Sequence, residues 1–447
     1  MNLHSQLLAR QTAGNPIRVG LIGAGKFGAM FLAQARRTPG LHVMAIADLD
    51  VDRAHQTCAR VGWPDEAHEA TGFDAAYSSS GCHITDDASE LIAADGLDVV
   101  IEATGSPAAG TRHALAAIAK GRHVVMVTVE ADALAGPLIA RRAAAAGVVY
   151  SLAYGDQPAL ISELVDWARA TGFKVVCAGK GTKYRTHYHA STPDTIWGHY
   201  GMSPEDAAAG GLNPQMFNSF LDGSKSAIEM AAVANACGLA PPKDGLGFPP
   251  VGVDQLADRL KPRSDGGLLE TSGTVEVVSC EQRDGAAVAR DLRWGVYVTF
   301  AAPDEYVRRC FAEYGLSTDS SGRYAAMWKP YHLIGLELGM SVASAALRGE
   351  PTGVSRDFNA DVIAVAKRDL SAGEVLDGEG GYTVWGKLTS AAQSLAAGAL
   401  PLGLAHGVAL KAAVAEGEVL TWAHVSIDET DPTAAFRRDM EAAFGPD

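Results

Sequence analysis

The sequence predicts an α/β chain that opens on a doubly wound parallel sheet, continues into a mixed α+β domain and ends in a small all-β module. Three observations predict it. From Ile17 to Ala153, short branched apolar runs alternate with stretches of helical spacing, which is the pattern of repeated βαβ units and a buried parallel sheet. Beyond Gly172 the alternation breaks into isolated strands separated by polar or Gly/Pro-rich stretches. Within residues 358–447, two segments of like pattern follow one another.

Leu3 to Ala9 reads as a short helix on the outside of the first domain. Ile17 to Ile22 is a branched apolar run suited to a strand buried on both faces, and Gly23, Gly25 and Gly28 follow it directly before a helix. Each glycine has a mechanical use. Gly23 permits the tight turn, Gly25 lets a diphosphate approach the backbone, and Gly28 lets the helix lie close on the strand. Lys26 and Phe27, between them, count as binding positions too, since free N–H groups at a helix start face an anion. A second strand, His42 to Ala47, ends in Asp48, about twenty residues beyond the last glycine, where a carboxylate suits the adenosine ribose. Strand, glycine turn, helix, strand and acid together predict a Rossmann domain for a nicotinamide dinucleotide. Asp48 favours a free ribose hydroxyl, as in NADH, and Arg53 offsets it toward the 2′-phosphate of NADPH.

A helix over Val51 to Gly62 precedes a polar, serine-rich connection through Ser78 to Gly81. Alternation resumes with strands at Leu97 to Glu102, His123 to Val127 and Val148 to Ala153, and with helices at Gly110 to Lys120 and Asp132 to Ala146. The first domain is thus expected over 1–155. A helix from Pro158 to Ala170, with proline in its first turn and Gly172 just past its end, opens a substrate domain over 156–329. Lys174 to Ala178, Val275 to Cys280 and Trp294 to Phe300 read as its strands, Asp222 to Cys237 as a long helix, and Pro241 to Asp265 as a surface loop or linker. A helix over 330–348 is expected to pack back on the first domain.

The 447 residues suffice for two or three cores, and 47% hydrophobic against 20% charged residues is the balance of a globular enzyme. A net charge of -15 argues against nucleic acid and anionic membranes as partners, so an anionic substrate needs a local basic pocket. Six scattered cysteines form no CxxC pair and read as reduced, mostly buried thiols. The first fifteen residues lack a signal peptide's apolar core and no stretch is long enough to span a bilayer, so a cytoplasmic protein is expected, as a homo-oligomer such as a dimer.

Several residues are suited to chemistry. The turn at Thr104 and Gly105 ends a sheet strand on the ligand side, and Glu102 there either contacts the cofactor or hydrogen-bonds the turn. Glu130 is a candidate substrate or metal ligand after the next strand, and Asp132 reads as an N-cap. Asp156 and Glu163 are oxygen donors for a divalent ion such as Mg or Mn, or simply helix-start acids. Lys180, Lys183 and Arg185, interleaved with Gly179 and Gly181, form a loop able to close on a phosphate or carboxylate. Lys225 either protonates a developing alkoxide or is an exposed lysine behind an Asp222 cap. Lys329, with Arg323, Tyr324 and Tyr331, belongs to a basic and aromatic patch suited to covering a substrate, whereas His332 reads as structural.

The repeated segments, Ala360 to Leu376 and Val408 to Ile427, share a strand, a basic or polar step and an Ala-x-Gly-Glu turn, and resemble the SAF family of β-clip domains. The stretches VGLIGAGKFGAMFLAQ, GRHVVMVTVEADAL, VVYSLAYGDQPALI, GKGTKY, ASTPDTIWG, NPQMFNSFLDGSK and GYTVWGKL carry a wider likeness. The first 350 positions resemble homoserine-dehydrogenase-like oxidoreductases. The whole chain resembles the DXR-like (DRL) family of 1-deoxy-D-xylulose 5-phosphate reductoisomerases. That resemblance implies an NADPH-dependent, metal-assisted rearrangement and reduction of the hydroxyketone to 2-C-methyl-D-erythritol 4-phosphate, an isoprenoid precursor. It further implies that Asp156 and Glu163, with Glu130, hold the metal, that Lys180, Lys183 and Arg185 hold the phosphate, and that Lys225 assists oxygen protonation. The closely spaced acids after a serine-rich run that mark the usual reductoisomerase metal site are not evident. A plain dehydrogenase of a small hydroxy acid and a nucleotide-sensing binding protein are the alternatives.

Overall fold

Six short parallel strands carry the first third of the computed structural model, which describes residues 2–445. They are β1 (Ile17–Ile22), β2 (Leu41–Ala47), β3 (His83–Thr85), β4 (Val99–Glu102), β5 (His123–Met126) and β6 (Tyr150–Leu152), in the spatial order β3-β2-β1-β4-β5-β6. This is the doubly wound Rossmann order, with the strand sequence reversing between β1 and β4. Ile17, Val19 and Leu21 of β1 are wholly buried, as are Ile46, Val99 and Ile101 beside them. A strand apolar on both faces belongs inside such a sheet because helices cover both sides. His83–Thr85 and the helices Phe73–Ser79 and Ala88–Ala93 lie where a polar connection was expected. Their apolar periods are too short to stand out, and β3 forms by pairing with β2.

The chain divides into two compact units, one up to Leu160 together with Leu333–Arg356, the other Ile161–His332 together with the chain from Asp357. In the first, the helix Gly339–Arg348 contributes Val342 and Ala343 to the core around β1. It is shorter than the expected 330–348 because Gly335 adopts φ +79°, which interrupts helical geometry ahead of it.

The second unit is built on a mixed sheet of β7 (Lys174–Thr182), β8 (Thr274–Ser279), β9 (Val296–Ala301) and β10 (Tyr324–Lys329), ordered β10-β9-β7-β8. The Gly/Pro-rich span Pro241 to Asp265 is not a surface linker. Val251, Val253, Leu256, Ala257 and Leu260 within it are buried in this unit's core beside Leu269 and Tyr297. Its prolines and glycines shape short turns that still carry apolar side chains inward.

Residues from Ala360 onward add β11 (Ala360–Ala366), β12 (Val375–Asp377), β13 (Val384–Ser390), β14 (His406–Leu410) and β15 (Val425–Ser426) in two small antiparallel sheets. The two like segments seen in the sequence pair with each other about an approximate twofold. Leu370 and Val414, equivalent under a shift of 44 positions, exchange both backbone bonds (2.8 and 3.0 Å). Gly373 N–H to Leu410 O (2.8 Å) is mirrored by Gly417 N–H to Ala366 O (2.9 Å). Ser371 N–H to the Glu374 carboxylate (3.0 Å) is likewise mirrored by Ala415 N–H to Glu418 (3.1 Å). All six cysteines are free thiols, and no helix among the described residues is long and apolar enough to cross a membrane.

Candidate active site

The glycine turn after β1 meets the three mechanical demands read from its sequence. Gly23 sits at φ +99°, a region that side chains avoid, and a methyl on Gly28 would collide with the Gly23 carbonyl. A methyl on Gly25 would meet nothing within 4 Å, so that face of the turn is open. Gly25 caps the helix Lys26–Ala35 with no side chain bonded to its opening N–H groups. Unclaimed amides at a helix start beside an open glycine fit a diphosphate. Asp48 closes the other side, but its carboxylate is nearly full. It accepts from Ala24 N–H (2.8 Å), Asp50 N–H (3.0 Å) and the Arg53 guanidinium (2.5 Å) and is 7% exposed. Arg53 stays 57% exposed, leaving cationic surface at the end of β2.

At the ends of β4 and β5, Glu102 hydrogen-bonds the turn. Its Oε1 accepts from Thr104 Oγ1 (2.6 Å) and lies 3.3 Å from His113 Nδ1. Gly105 N–H donates to Thr128 Oγ1 (3.0 Å), so both predicted turn residues are held from below by buried side chains. Glu130 and Asp132 lie in the first turns of the helix Val129–Ala145. Asp132 is not its N-cap, a position that falls to Thr128. Instead Asp132 is wholly buried and accepts from Tyr150 OH (2.9 Å) and Ser355 Oγ (2.6 Å), and burial raises its carboxyl to about 6. It ties this helix to β6 and to the returning segment.

In the second unit the expected basic loop is mostly strand, since β7 runs on to Thr182. Gly179 and Gly181 do not close on an anion. A side chain on either would collide with the carbonyl of Glu276 or Leu292, so they let neighbouring backbone pack close. Lys180, 6% exposed, forms a buried ion pair with Glu229. Lys183 donates to His199 O (2.6 Å) and stands 3.3 Å from Glu281, which also accepts from Arg185 Nε (2.9 Å) and Tyr188 OH (3.2 Å). Burial pushes the Glu281 carboxyl up, but the Arg185 hydrogen bond and the Lys183 charge outweigh it and hold it below the usual range. The His187 and His199 rings lie tilted beside each other, their centroids 5.8 Å apart, and Arg293 lies over the rings of Tyr200 and Trp294. Burial, then the charges of His187, Lys183 and Arg185, lower the His199 pKa. Glu281 thus stands between Lys183 and Arg185, while Arg293 lies against Tyr200, whose ring Lys183 also approaches. Arg293, His187, His199 and Glu281 were not singled out in the sequence. Glu281, just past β8, and Arg293, just before β9, come to this side of the sheet through the pairing of β7 with β8 and β9, while His187 and His199 follow β7 along an irregular segment with no motif of its own.

Asp222 ends the helix Pro214–Asp222 rather than opening the next, yet its Oδ1 accepts Ser224 N–H (2.8 Å) across Gly223 at φ +96°. Lys225 is then the second residue of the helix Ser224–Cys237 and is half-buried. Lys329 pairs with Glu163 at 2.5 Å, both partly exposed, and the Asp156 carboxylate accepts Gln157 N–H (2.9 Å) at a helix start. Among the described residues no three His, Cys, Asp or Glu side chains gather to hold a metal ion.

The family described as "Oxidoreductase family, NAD-binding Rossmann fold" matches residues 17–127, and "Oxidoreductase DRL, catalytic domain" matches residues 155–338. No curated protein matches the chain. Among solved structures, an NAD binding oxidoreductase from Klebsiella pneumoniae is 22% identical over 39% of this chain and 47% of its own, with TM-score 0.29. A homoserine dehydrogenase from Thiobacillus denitrificans is 22% identical over 50% of each chain, with TM-score 0.35. A probable dehydrogenase from Thermotoga maritima is 13% identical over 76% of this chain and 91% of its own, with TM-score 0.38. The chain spans about half the length of the first two, and at these scores none of the three bears on function. The two family matches support an NAD(P)-dependent oxidoreductase with a DRL-type catalytic domain.

Proposed function

We propose that this NAD(P)-dependent oxidoreductase is a reductoisomerase that converts 1-deoxy-D-xylulose 5-phosphate to 2-C-methyl-D-erythritol 4-phosphate with NADPH. The observation that carries the proposal is the match of the DRL catalytic domain to residues 155–338. The cations Lys183 and Arg185 on one carboxylate, with Arg293 beside the Tyr200 ring that Lys183 also approaches, support a substrate bearing a phosphate in a chain of net charge -15. The bound dinucleotide would supply the hydride. The open amides of the helix Lys26–Ala35 would hold its diphosphate, and Arg53 would meet its 2′-phosphate. Lys183 and Arg185 would exchange part of their bonding to Glu281 for the substrate phosphate. Lys225, at a helix start, would donate a proton to the alkoxide formed on reduction. Lys180 would help set the charge around it through Glu229, which lies one helical turn beyond Lys225.

A second reading, plain dehydrogenation of a small hydroxy acid, needs no divalent ion and is compatible with the finding that no three His, Cys, Asp or Glu side chains gather among the described residues. Both are tested by following coenzyme oxidation with deoxyxylulose phosphate and coenzyme reduction with homoserine, each with both pyridine coenzymes, and identifying products by mass. Turnover of the phosphate ester to a branched polyol phosphate is expected. No turnover of that ester, or turnover of the hydroxy acid alone, refutes the first reading, and a chelator arm shows whether the substrate brings an ion with it.

A further inference from the structure

The helix that carries Lys225 is gripped at its start by the C-terminal segment, within one compact unit. Lys367, just past β11, is 7% exposed and engages its ammonium in two hydrogen bonds and one ion pair. Its Nζ lies 2.8 Å from Asp222 Oδ2, 2.8 Å from Ser191 O and 2.7 Å from Gly381 O. Asp222 is wholly buried, and its other oxygen takes the Ser224 N–H. Ser224 Oγ in turn accepts Gly386 N–H (2.8 Å) from β13. Asn218 and Gln215, on the helix that leads in, donate to Gly380 O (2.8 Å) and to Asp377 O and Glu379 O (both 2.9 Å). A buried ammonium paired with a wholly buried carboxylate resists slippage, because any displacement strands a charge away from water.

We infer that the C-terminal segment is part of the catalytic module, and that Lys367 is a positioning residue which fixes Lys225 through Asp222 and Ser224. This rests on the proposed role of Lys225 in proton transfer. The repeat supplies its own control. Lys411, the lysine equivalent to Lys367 under the internal twofold, is exposed to solvent.

The test uses the full chain labelled with 13C at lysine Cε, with the Lys225 resonance assigned by its loss in Lys225→Arg. Lys367→Met should displace that resonance, and so should Asp222→Asn/Lys367→Met, which removes both buried charges and folds even where the single variant does not. Lys411→Met should leave it in place. With deoxyxylulose phosphate as substrate, the double variant should lose on the order of tenfold to a hundredfold in kcat while NADPH affinity is kept. A folded double variant whose Lys225 resonance is unmoved overturns the inference. If the wild-type chain fails to turn over the ester, the reductoisomerase reading falls and the resonance alone decides the positioning role.

Discussion

Replacing Gly25 with alanine separates the ligand from the fold at a single methyl. The backbone there has φ −70° and ψ −156°, which alanine adopts, and the added carbon meets no atom within 4 Å. Folding stability should therefore hold or rise by about 0.4–1 kcal/mol, since alanine restricts the unfolded chain. The same methyl would stand in the path of a diphosphate approaching the helix amides. Overpacking of a close contact costs about 1–3 kcal/mol, which is about fivefold to 150-fold in affinity. Calorimetric titration of NADPH against wild type and Gly25→Ala, beside thermal melts of both, reads the two effects separately. Gly28→Ala is the counterpart, because its methyl strikes the Gly23 carbonyl, and it should lower the melting temperature. An NADPH dissociation constant in Gly25→Ala within about twofold of wild type would show that the diphosphate does not bind at this helix start, and the coenzyme assignment would fall with it.

Arg53→Ala should weaken NADPH by about 1–1.5 kcal/mol, the low end for a charged hydrogen bond because the guanidinium is over half exposed, and leave NADH nearly unchanged. Equal losses for both coenzymes would place Arg53 elsewhere than at the 2′-phosphate. Lys183→Met should raise KM for the phosphate ester by about tenfold or more with a smaller change in kcat, and steady-state kinetics on the ester and its dephosphorylated analogue would expose a mistaken assignment as equal effects on both. Glu276, buried on β8, has its carboxyl raised by burial from 4.5 to about 7 despite accepting Gly247, Phe248 and Val277 N–H groups. A folded-state value above the unfolded one stabilises at low pH and loses that contribution as pH rises through the interval between them. The melting temperature should thus carry a falling component from about pH 4.5 to 7 that Glu276→Gln removes, and parallel curves for the two proteins would contradict it.

Local chemistry was legible in the sequence, and distant pairing was not. Gly23, Gly25 and Gly28 act within a few residues of one another, so their spacing carried the turn, the open face and the close packing together. Asp132 looked like a cap because it stands near a helix start, while its partners Tyr150 and Ser355 lie far along the chain and decide its role. Glu281 neutralises Arg185 from 96 positions away, a relation that only the register of β7 with β8 creates. Pro241 to Asp265 was misjudged because composition reports how a chain turns and says little about which side of the turn is wet.

The duplicated turn in the C-terminal segment gives its two halves unequal freedom. The like segments fold back on each other and set two lysines at equivalent positions, yet Lys367 is sealed against Asp222 while Lys411 faces water. Variation at the first is answerable to chemistry performed by another helix, and variation at the second is answerable only to solubility. A library of random replacements at both sites, screened for soluble full-length protein, should return many residue types at Lys411 and few at Lys367. One half of the repeat has become an anchor, and the other is spare surface on which new contacts can be built.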